Sequence, residues 1–520
     1  MDFSNLTLRE KILKTFIVTI REINTHGGPE EFFKKYPVGG LFYSEGPKLL
    51  DENGVNLGVA CDQEELELCR KLCPGQLMAY ADACSVRGQN YTSWPQTSLG
   101  SSQLLEDAYN WGKVTGMQFN DRGVDVIYGP SIDMCIDHQM YLMSINDDPE
   151  IIAKVYRQVI RGIQDQGVCA TAKHFPGLGT WFVNMHMAPG ANKLPFDEWM
   201  ETYGYTYSQM FQEDVMSVMT THATLRSYDD ETHDGYLPIA TFSEKLTTEL
   251  LKGKLGFQGA VVTDALVMGG MATGDLVAET VQAFKAGADL LLYPPVETVD
   301  VLEQMLLSGE IPMSRLNDAL ARIGRMMDFR NAALEGKTYD QPDPVFADET
   351  LKQITRNGIC QLRNDRGLLP LKPQTYKKVL VVDGGEKGSK AAEYLCTALQ
   401  EKGFGAEVKR EIYDVPSNIS WQADVDKLQA NYDLVIFSMD AYFAAEWSET
   451  HMLIWASHQF DKAKKIIVNY RSPYFAVDYF PEDPTFIEMN CDPSLEAARM
   501  LVQGILGEIK FTGKSRLKEQ

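Results

Sequence analysis

The sequence predicts an α/β protein, a (β/α)8 TIM-type barrel followed by a smaller α/β sandwich domain. Three observations lead there. Short apolar runs alternate with amphipathic helical patterns from about residue 30 to 335. The runs are apolar on both faces, as strands of a helix-covered parallel sheet must be. After a Gly- and Pro-bearing break, the same alternation restarts in a shorter form. About seven such units over roughly 300 residues suit a closed barrel better than an open sheet.

The runs at 38–43, 77–81, 124–128, 168–172, 215–220, 260–263 and 288–293 read as strands. Between them, 150–166 and 244–255 repeat apolar residues at helical spacing. Gly336, Pro342 and Pro344 mark the break. The expected organisation is a barrel over 1–335, a linker over 336–350 and a second domain over 351–520. In that domain 378–383, 433–437 and 465–469 read as parallel strands. Gly384-Gly385-Glu386-Lys387-Gly388 follows the first of these. It lacks GxGxxG spacing and a ribose-binding acid, which favours a plain strand-to-helix turn over a nucleotide loop.

A chain of 520 residues is too long for one ordinary core, in line with two domains. Its 44% hydrophobic and 23% charged content is that of a folded globular protein. The net charge of −23, with no Lys/Arg run, argues against a nucleic-acid partner, because binding a phosphate backbone needs a basic face. Nine scattered cysteines form no metal-like CxxC pair, so reduced, buried thiols and no metal are expected. The N-terminus lacks a signal-peptide pattern and no apolar run reaches membrane-spanning length, which points to the cytoplasm. Nothing in the sequence sets the oligomeric state.

Two clusters carry the chemistry. Lys173-His174-Phe175-Pro176-Gly177-Leu178-Gly179, with His186 beyond it, reads as a strand passing into a loop. A cation and two imidazoles at a strand's end match a barrel's catalytic rim, where chemistry collects. The alternative is a polar surface loop. The second cluster is Val261-Val262-Thr263-Asp264, a carboxylate closing an apolar strand. Such a carboxylate is costly unless it faces a polar pocket. The alternative makes Asp264 the N-cap of the next helix. On one rim with Lys173, His174 and His186, it becomes a candidate nucleophile or base.

These segments resemble family 3 glycoside hydrolases, most closely the bacterial β-N-acetylglucosaminidase (β-N-acetylhexosaminidase) branch. The resemblance rests on 173–179, His186 and 255–264, with support from Gly129-Pro130-Ser131-Ile132-Asp133, Thr241-Phe242-Ser243, Ala286-Gly287-Ala288-Asp289, Leu368-Leu369-Pro370-Leu371 and Leu506-Gly507-Glu508. It implies a retaining glycosidase acting on a terminal β-linked sugar, N-acetylglucosamine among the candidates, with no cofactor. Asp264 would attack the anomeric carbon and His186 would serve as acid and base, a role that imidazole suits near neutral pH. Lys173 and His174 would hold sugar hydroxyls.

A further sugar-binding aspartate of the family has two candidates here. Asp62-Gln63-Glu64 reproduces the family's letters but opens a helical pattern, whereas Asp82 directly follows a strand. Position favours Asp82, with Arg87 five residues on.

Three positions depart from the family. Leu178 stands where a second histidine is usual, Asn184 where an aspartate supports the catalytic histidine, and Met143 where an arginine is usual. Asparagine can orient the imidazole but cannot stabilise its charge, so a weaker base is expected. Altered specificity and weakened activity both remain open. Trp181 and Phe182 can stack on a sugar or pack the loop. Glu446 and Glu449 can supply an acid from the second domain or lie on its surface. The alternatives are a catalytically weakened sugar-binding homologue and a β-glycosidase or phosphorylase of different sugar specificity. A Schiff-base lyase on Lys173 would leave Asp264 and His186 unused.

Overall fold

The structure is a computed structural model that describes residues 1–46, 48–50, 56, 58–83, 96–134, 144–179, 185–232, 235–271, 273–410, 421–441 and 449–518. The chain falls into two compact units. One comprises Met1–Thr92, Ala108–Gln139 and Ile152–Ala347; the other comprises Ser93–Asp107, Met140–Ile151 and Asp348–Gln520. Two short stretches within the first 335 residues therefore belong with the second unit. The break is narrower than 336–350: one helix ends at Gly336 and the next, Pro344–Gly358, begins inside that range.

In the first unit eight strands run parallel: β1 (Phe16–Val18), β2 (Gly40–Phe42), β3 (Met78–Asp82), β4 (Val126–Tyr128), β5 (Cys169–Phe175), β6 (Ser217–Thr220), β7 (Ala260–Thr263) and β8 (Leu291–Leu292). The sheet runs β8-β1-β2-β3-β4-β5-β6-β7, and a parallel bridge from Val262 to Leu290 brings its two edges together. A barrel results. Its interior packs Ile17, Phe42, Tyr80, Tyr128 and Val262 against Met326 and Met327 of helix Met313–Gly336. Full burial of β1 fits a strand covered on both faces, yet its three residues are too few to stand out in the sequence. Residues 245–254 are helical as expected, but in wide turns: Leu255 N–H donates five residues back, to Leu250 O (2.8 Å).

Two buried carboxylates tie strands together away from the strand C-termini. Asp125, just before β4, accepts from Ala79 N–H (2.7 Å), Arg70 (2.8 Å) and Arg330 (2.8 Å). Asp289 accepts from Val261 N–H (2.9 Å), Lys252 (2.7 Å) and Arg315 (3.0 Å). Each has an oxygen on a strand amide and cations beside it, so its charge is fully compensated.

The second unit holds a six-stranded sheet of β9 (Cys360–Asn364), β10 (Lys378–Asp383), β11 (Gly405–Lys409), β12 (Leu434–Met439), β13 (Lys465–Asn469) and β14 (Thr485–Glu488). Its order is β9-β14-β13-β12-β10-β11, parallel except for the edge strand β9. Apolar layers cover both faces. Val381, Ile436 and Val468 meet helices Ala391–Glu401 and Leu495–Ile505 on one side; Val382, Phe437 and Phe486 pack on the other.

Glu488 ends β14 with 1% exposure. Burial pushes its carboxyl up to about 7, against the pull of Arg516, Asn490 and Arg363. The folded chain then holds a proton that the unfolded chain releases near pH 4.5. This contribution is full below pH 4.5 and is lost as pH rises through 7, a swing of about 3 kcal/mol. Glu488→Gln keeps the shape and removes the titration. Denaturant unfolding should show the variant more stable than the parent at pH 8, with no gain at pH 4.5.

The seven described cysteines are buried and unpaired. Burial raises their thiols, Cys73 to about 11 and Cys69 to about 12 in company with Glu65, which makes them poor nucleophiles. Among the described residues no helix is long and apolar enough to cross a membrane.

Candidate active site

The C-terminal ends of β3 and β5 deliver the first group. Lys173 and His174 lie within β5, not on a loop beyond it. Their strand is prolonged because Ile132 N–H donates to Lys173 O (2.7 Å) and Lys173 N–H to Pro130 O (3.2 Å). The buried Lys173 Nζ donates to Asp82 Oδ2 (2.9 Å), so the cation and the carboxylate meet at one place. His174 Nδ1 lies 2.8 Å from Asp133 Oδ2, which also accepts from Ser131 Oγ (2.8 Å). Asp133 is 1% exposed and fixes the ring, leaving Nε2 to face outward from that pair. Asp62 does something else. It caps helix Gln63–Leu72, accepting from Glu65 N–H (2.9 Å) while Glu65 accepts from its own amide (3.1 Å).

Asp264 follows β7 and is held to the neighbouring strand by its amide, which donates to Thr220 O (2.9 Å). It does not cap the next helix: Asp275 caps Leu276–Ala286, accepting from Ala278 N–H (3.0 Å). Among the described residues, the one hydrogen bond to the Asp264 carboxylate comes from Ala265 N–H to Oδ1 (2.8 Å). Asp125 and Asp289, by contrast, are saturated by cations and amides. One oxygen of Asp264 is oriented and the other is unengaged, as an attacking group requires.

The imidazole of His186 is exposed, yet its backbone is anchored. Gly269 N–H donates to His186 O (3.0 Å) and Gly270 N–H to Met185 O (3.1 Å), tying this loop to the segment after Asp264. Both glycines are needed for the approach. A Cβ on Gly269 would lie 2.9 Å from His186 O, and one on Gly270 would overlap Met185 O. Gly270→Ala should therefore lower kcat by about tenfold to a hundredfold through displacement of His186. Steady-state kinetics beside an unchanged circular dichroism spectrum would check it.

Tyr128 and Tyr293 both feel the charges of Asp82 and Asp264. Burial, followed by the charges of Asp82 and Asp264, raises the Tyr293 phenol far above its ordinary range. Tyr128 is raised by burial, then by Tyr80, Tyr293 and the same two aspartates. Tyr293 also has a left-handed backbone, φ 65°, and packs edge-on to Phe42 at 5.3 Å. Residues held in this conformation cluster at functional sites. Tyr128, Tyr293, Asp133 and His222 were not singled out as site residues from the sequence. Tyr128 and Tyr293 close apolar strand runs, and His222 stands two residues beyond one; Asp133 stands in a Gly-Pro-Ser-Ile-Asp run.

Leu178 is buried at 4% exposure, next to Gly179, whose amide donates to Tyr203 Oη (3.1 Å). Arg87, Met143, Trp181, Phe182, Asn184 and Glu446 lie outside the described residues, as does the side chain of Glu449. In the second unit, Gly385 N–H is committed to Asp383 Oδ1 (2.9 Å). A carboxylate occupies the place a phosphate would need, and the Gly384–Gly388 turn is no phosphate cradle.

Elsewhere in the first unit, Glu22, His26 and Glu297 converge within reach of one cation. The His26 ring is already bonded on both nitrogens, Nδ1 to Glu22 O (2.9 Å) and Nε2 to Glu297 (3.0 Å). An imidazolium between carboxylates satisfies that geometry. A cavity of about 500 Å³ is lined by Arg70, Asp121, Asp125 and Arg330. Asp125 already pairs with both guanidinium groups there, and Glu67 pairs with Arg70 as well.

Comparison with known proteins follows from this geometry. Residues 7–326 match the model of the glycosyl hydrolase family 3 N terminal domain. A β-N-acetylglucosaminidase/β-glucosidase of Cellulomonas fimi is 24% identical over 82% of this chain and 81% of its own length. A β-hexosaminidase of Methylobacillus flagellatus is 24% identical over 50% of this chain and 72% of its own. Among solved structures, a family 3 β-N-acetylglucosaminidase from Paenibacillus sp. superposes with a TM-score of 0.78 at 22% identity, covering 98% of this chain and 99% of that one. A β-glucoside phosphorylase gives 0.79 at 21% identity, covering 99% and 94%.

Proposed function

This chain belongs to glycosyl hydrolase family 3 and is a glycosidase, and from that premise we propose that it removes a terminal β-linked sugar with retention through a covalent glycosyl–Asp264 intermediate. The contrast among its strand-associated carboxylates carries the reading. Asp125 and Asp289 are neutralised by cations, whereas Asp264 has one oriented and one unengaged oxygen on the rim that bears Lys173, His174 and Asp82.

Asp264 attacks the anomeric carbon while His186 gives its proton to the departing oxygen. Water, deprotonated by the same imidazole, then attacks that carbon and releases Asp264. Two inversions give net retention. Lys173, His174, Asp82 and Arg87 hold sugar hydroxyls, and Asn184 supports His186. Small carbohydrates or glycoconjugates are the substrates, N-acetylglucosamine first among the sugars, and the reduced thiols suit a cytoplasmic setting.

The exposed His186 favours one second reading, phosphorolysis. An imidazole does not repel a phosphate dianion as a carboxylate acid/base would. One experiment separates the readings: a panel of nitrophenyl β-glycosides assayed with and without phosphate, and peptide mapping after reaction with a 2-deoxy-2-fluoro glycoside. Turnover with a label on Asp264 is expected. Sugar phosphate as product selects the phosphorylase, and sugar binding without turnover or label overturns both.

A further inference from the structure

His222 follows β6 at full burial and joins the two halves of the proposed catalytic pair. Its carbonyl accepts from Gly190 N–H (2.8 Å), in a short parallel ladder of Gly190–Asn192 with Ala223–Leu225 just beyond the His186 segment. Its ring reaches the other way. Nε2 lies 3.1 Å from Ala265 O, the residue whose amide orients Asp264, and Nδ1 lies 2.8 Å from Thr241 Oγ1.

These partners fix the tautomer. A carbonyl only accepts, so the proton resides on Nε2 and is donated to Ala265 O. Nδ1 then accepts the Thr241 hydroxyl proton in preference to the more distant Thr221 O at 3.3 Å. Every polar atom of a neutral ring is satisfied. The groups that face it are Asp264, Glu279 and His186. Burial outweighs the attraction of both carboxylates and holds the imidazole below its ordinary range. Neutrality has a chemical use, since a cation beside Asp264 would stabilise the carboxylate and blunt its attack.

We propose that His222 is a positioning residue, an Nε2–H imidazole that sets the Asp264 segment and the His186 segment in register for glycosyl transfer. This rests on the reading of Asp264 as nucleophile. Remote alignment of this kind governs rate more than affinity, because a small misplacement of a reacting group costs a large factor.

The test uses the full chain, a 2-deoxy-2-fluoro glycoside that traps the intermediate, and long-range ¹H–¹⁵N spectra of ¹⁵N-histidine protein. His222→Gln keeps an N–H near the Nε2 position; His222→Phe removes it. The phenylalanine variant should lose about tenfold to a hundredfold in kcat and in Asp264 labelling, with KM within about twofold. The glutamine variant should recover most of the rate. In the parent, the His222 signals, assigned by their loss in the glutamine variant, should show the Nε2–H tautomer at pH 7. Equal rates for parent and His222→Phe, no recovery by His222→Gln, or an Nδ1–H tautomer in the parent would each overturn the proposal. The spectra decide the matter even if His222→Phe does not fold. Failure to label Asp264 in the parent would instead overturn the functional reading itself.

Discussion

Asp264→Ala should lower kcat on aryl β-glycosides by about 10⁴-fold or more, about 5.5 kcal/mol of transition-state stabilisation. The carboxylate supplies the bond that replaces the leaving group, and no neighbour among the described residues can take over. Asp82 is tied to Lys173, and Asp133 is buried under His174. Azide should restore turnover, because the deleted carboxylate leaves room for a small anion on its own face of the sugar. The product should be the glycosyl azide of inverted, α configuration, since one displacement replaces two. Nuclear magnetic resonance of the product reads the configuration. A fully active alanine variant, or a β-azide, would remove Asp264 from the role.

Asp289→Ala should destabilise the first unit by about 3–5 kcal/mol while leaving kcat of the folded fraction unchanged. Asp289 is fully buried, and its removal strands Lys252 and Arg315 side by side, with only the half-exposed Asp318 still to balance them. It also removes the acceptor of Val261 N–H at the start of β7. Asp289→Asn, which keeps an acceptor for that amide, should lose less. Denaturant titration with activity measured per folded molecule separates the two effects. A proportionate loss of kcat would show that the bracing of β7 reaches Asp264 at its other end.

The comparison of these two aspartates shows what the sequence could disclose. The position of Asp264 at the end of a barrel strand was legible because a carboxylate closing an apolar run stands out in the sequence. Asp82 was preferred over Asp62 on position, and Asp62 proves to be a helix cap. Asp289 was visible only as part of a resembling run, since its cations come from Lys252 and Arg315, far away in sequence. His222 escaped because a lone histidine after a strand looks like any satisfied core residue; its meaning lies in Ala265 and Gly190, which no spacing rule connects to it.

Elements were lost for equally physical reasons. The barrel strand β1 is three residues long, and the edge strands β9 and β11 each bury only one of their five residues, unlike the solid apolar runs that were readable. Stretches 93–107 and 140–151 gave no sign that they pack with residues far along the chain.

The two main-chain hydrogen bonds from Gly269 and Gly270 have one more consequence. They hold the imidazole-bearing segment through its own carbonyl groups, so its register against the stretch after Asp264 does not depend on the imidazole itself. Replacing the His186 side chain should then leave the path of its backbone in place, so that the loss of the imidazole can be read on its own.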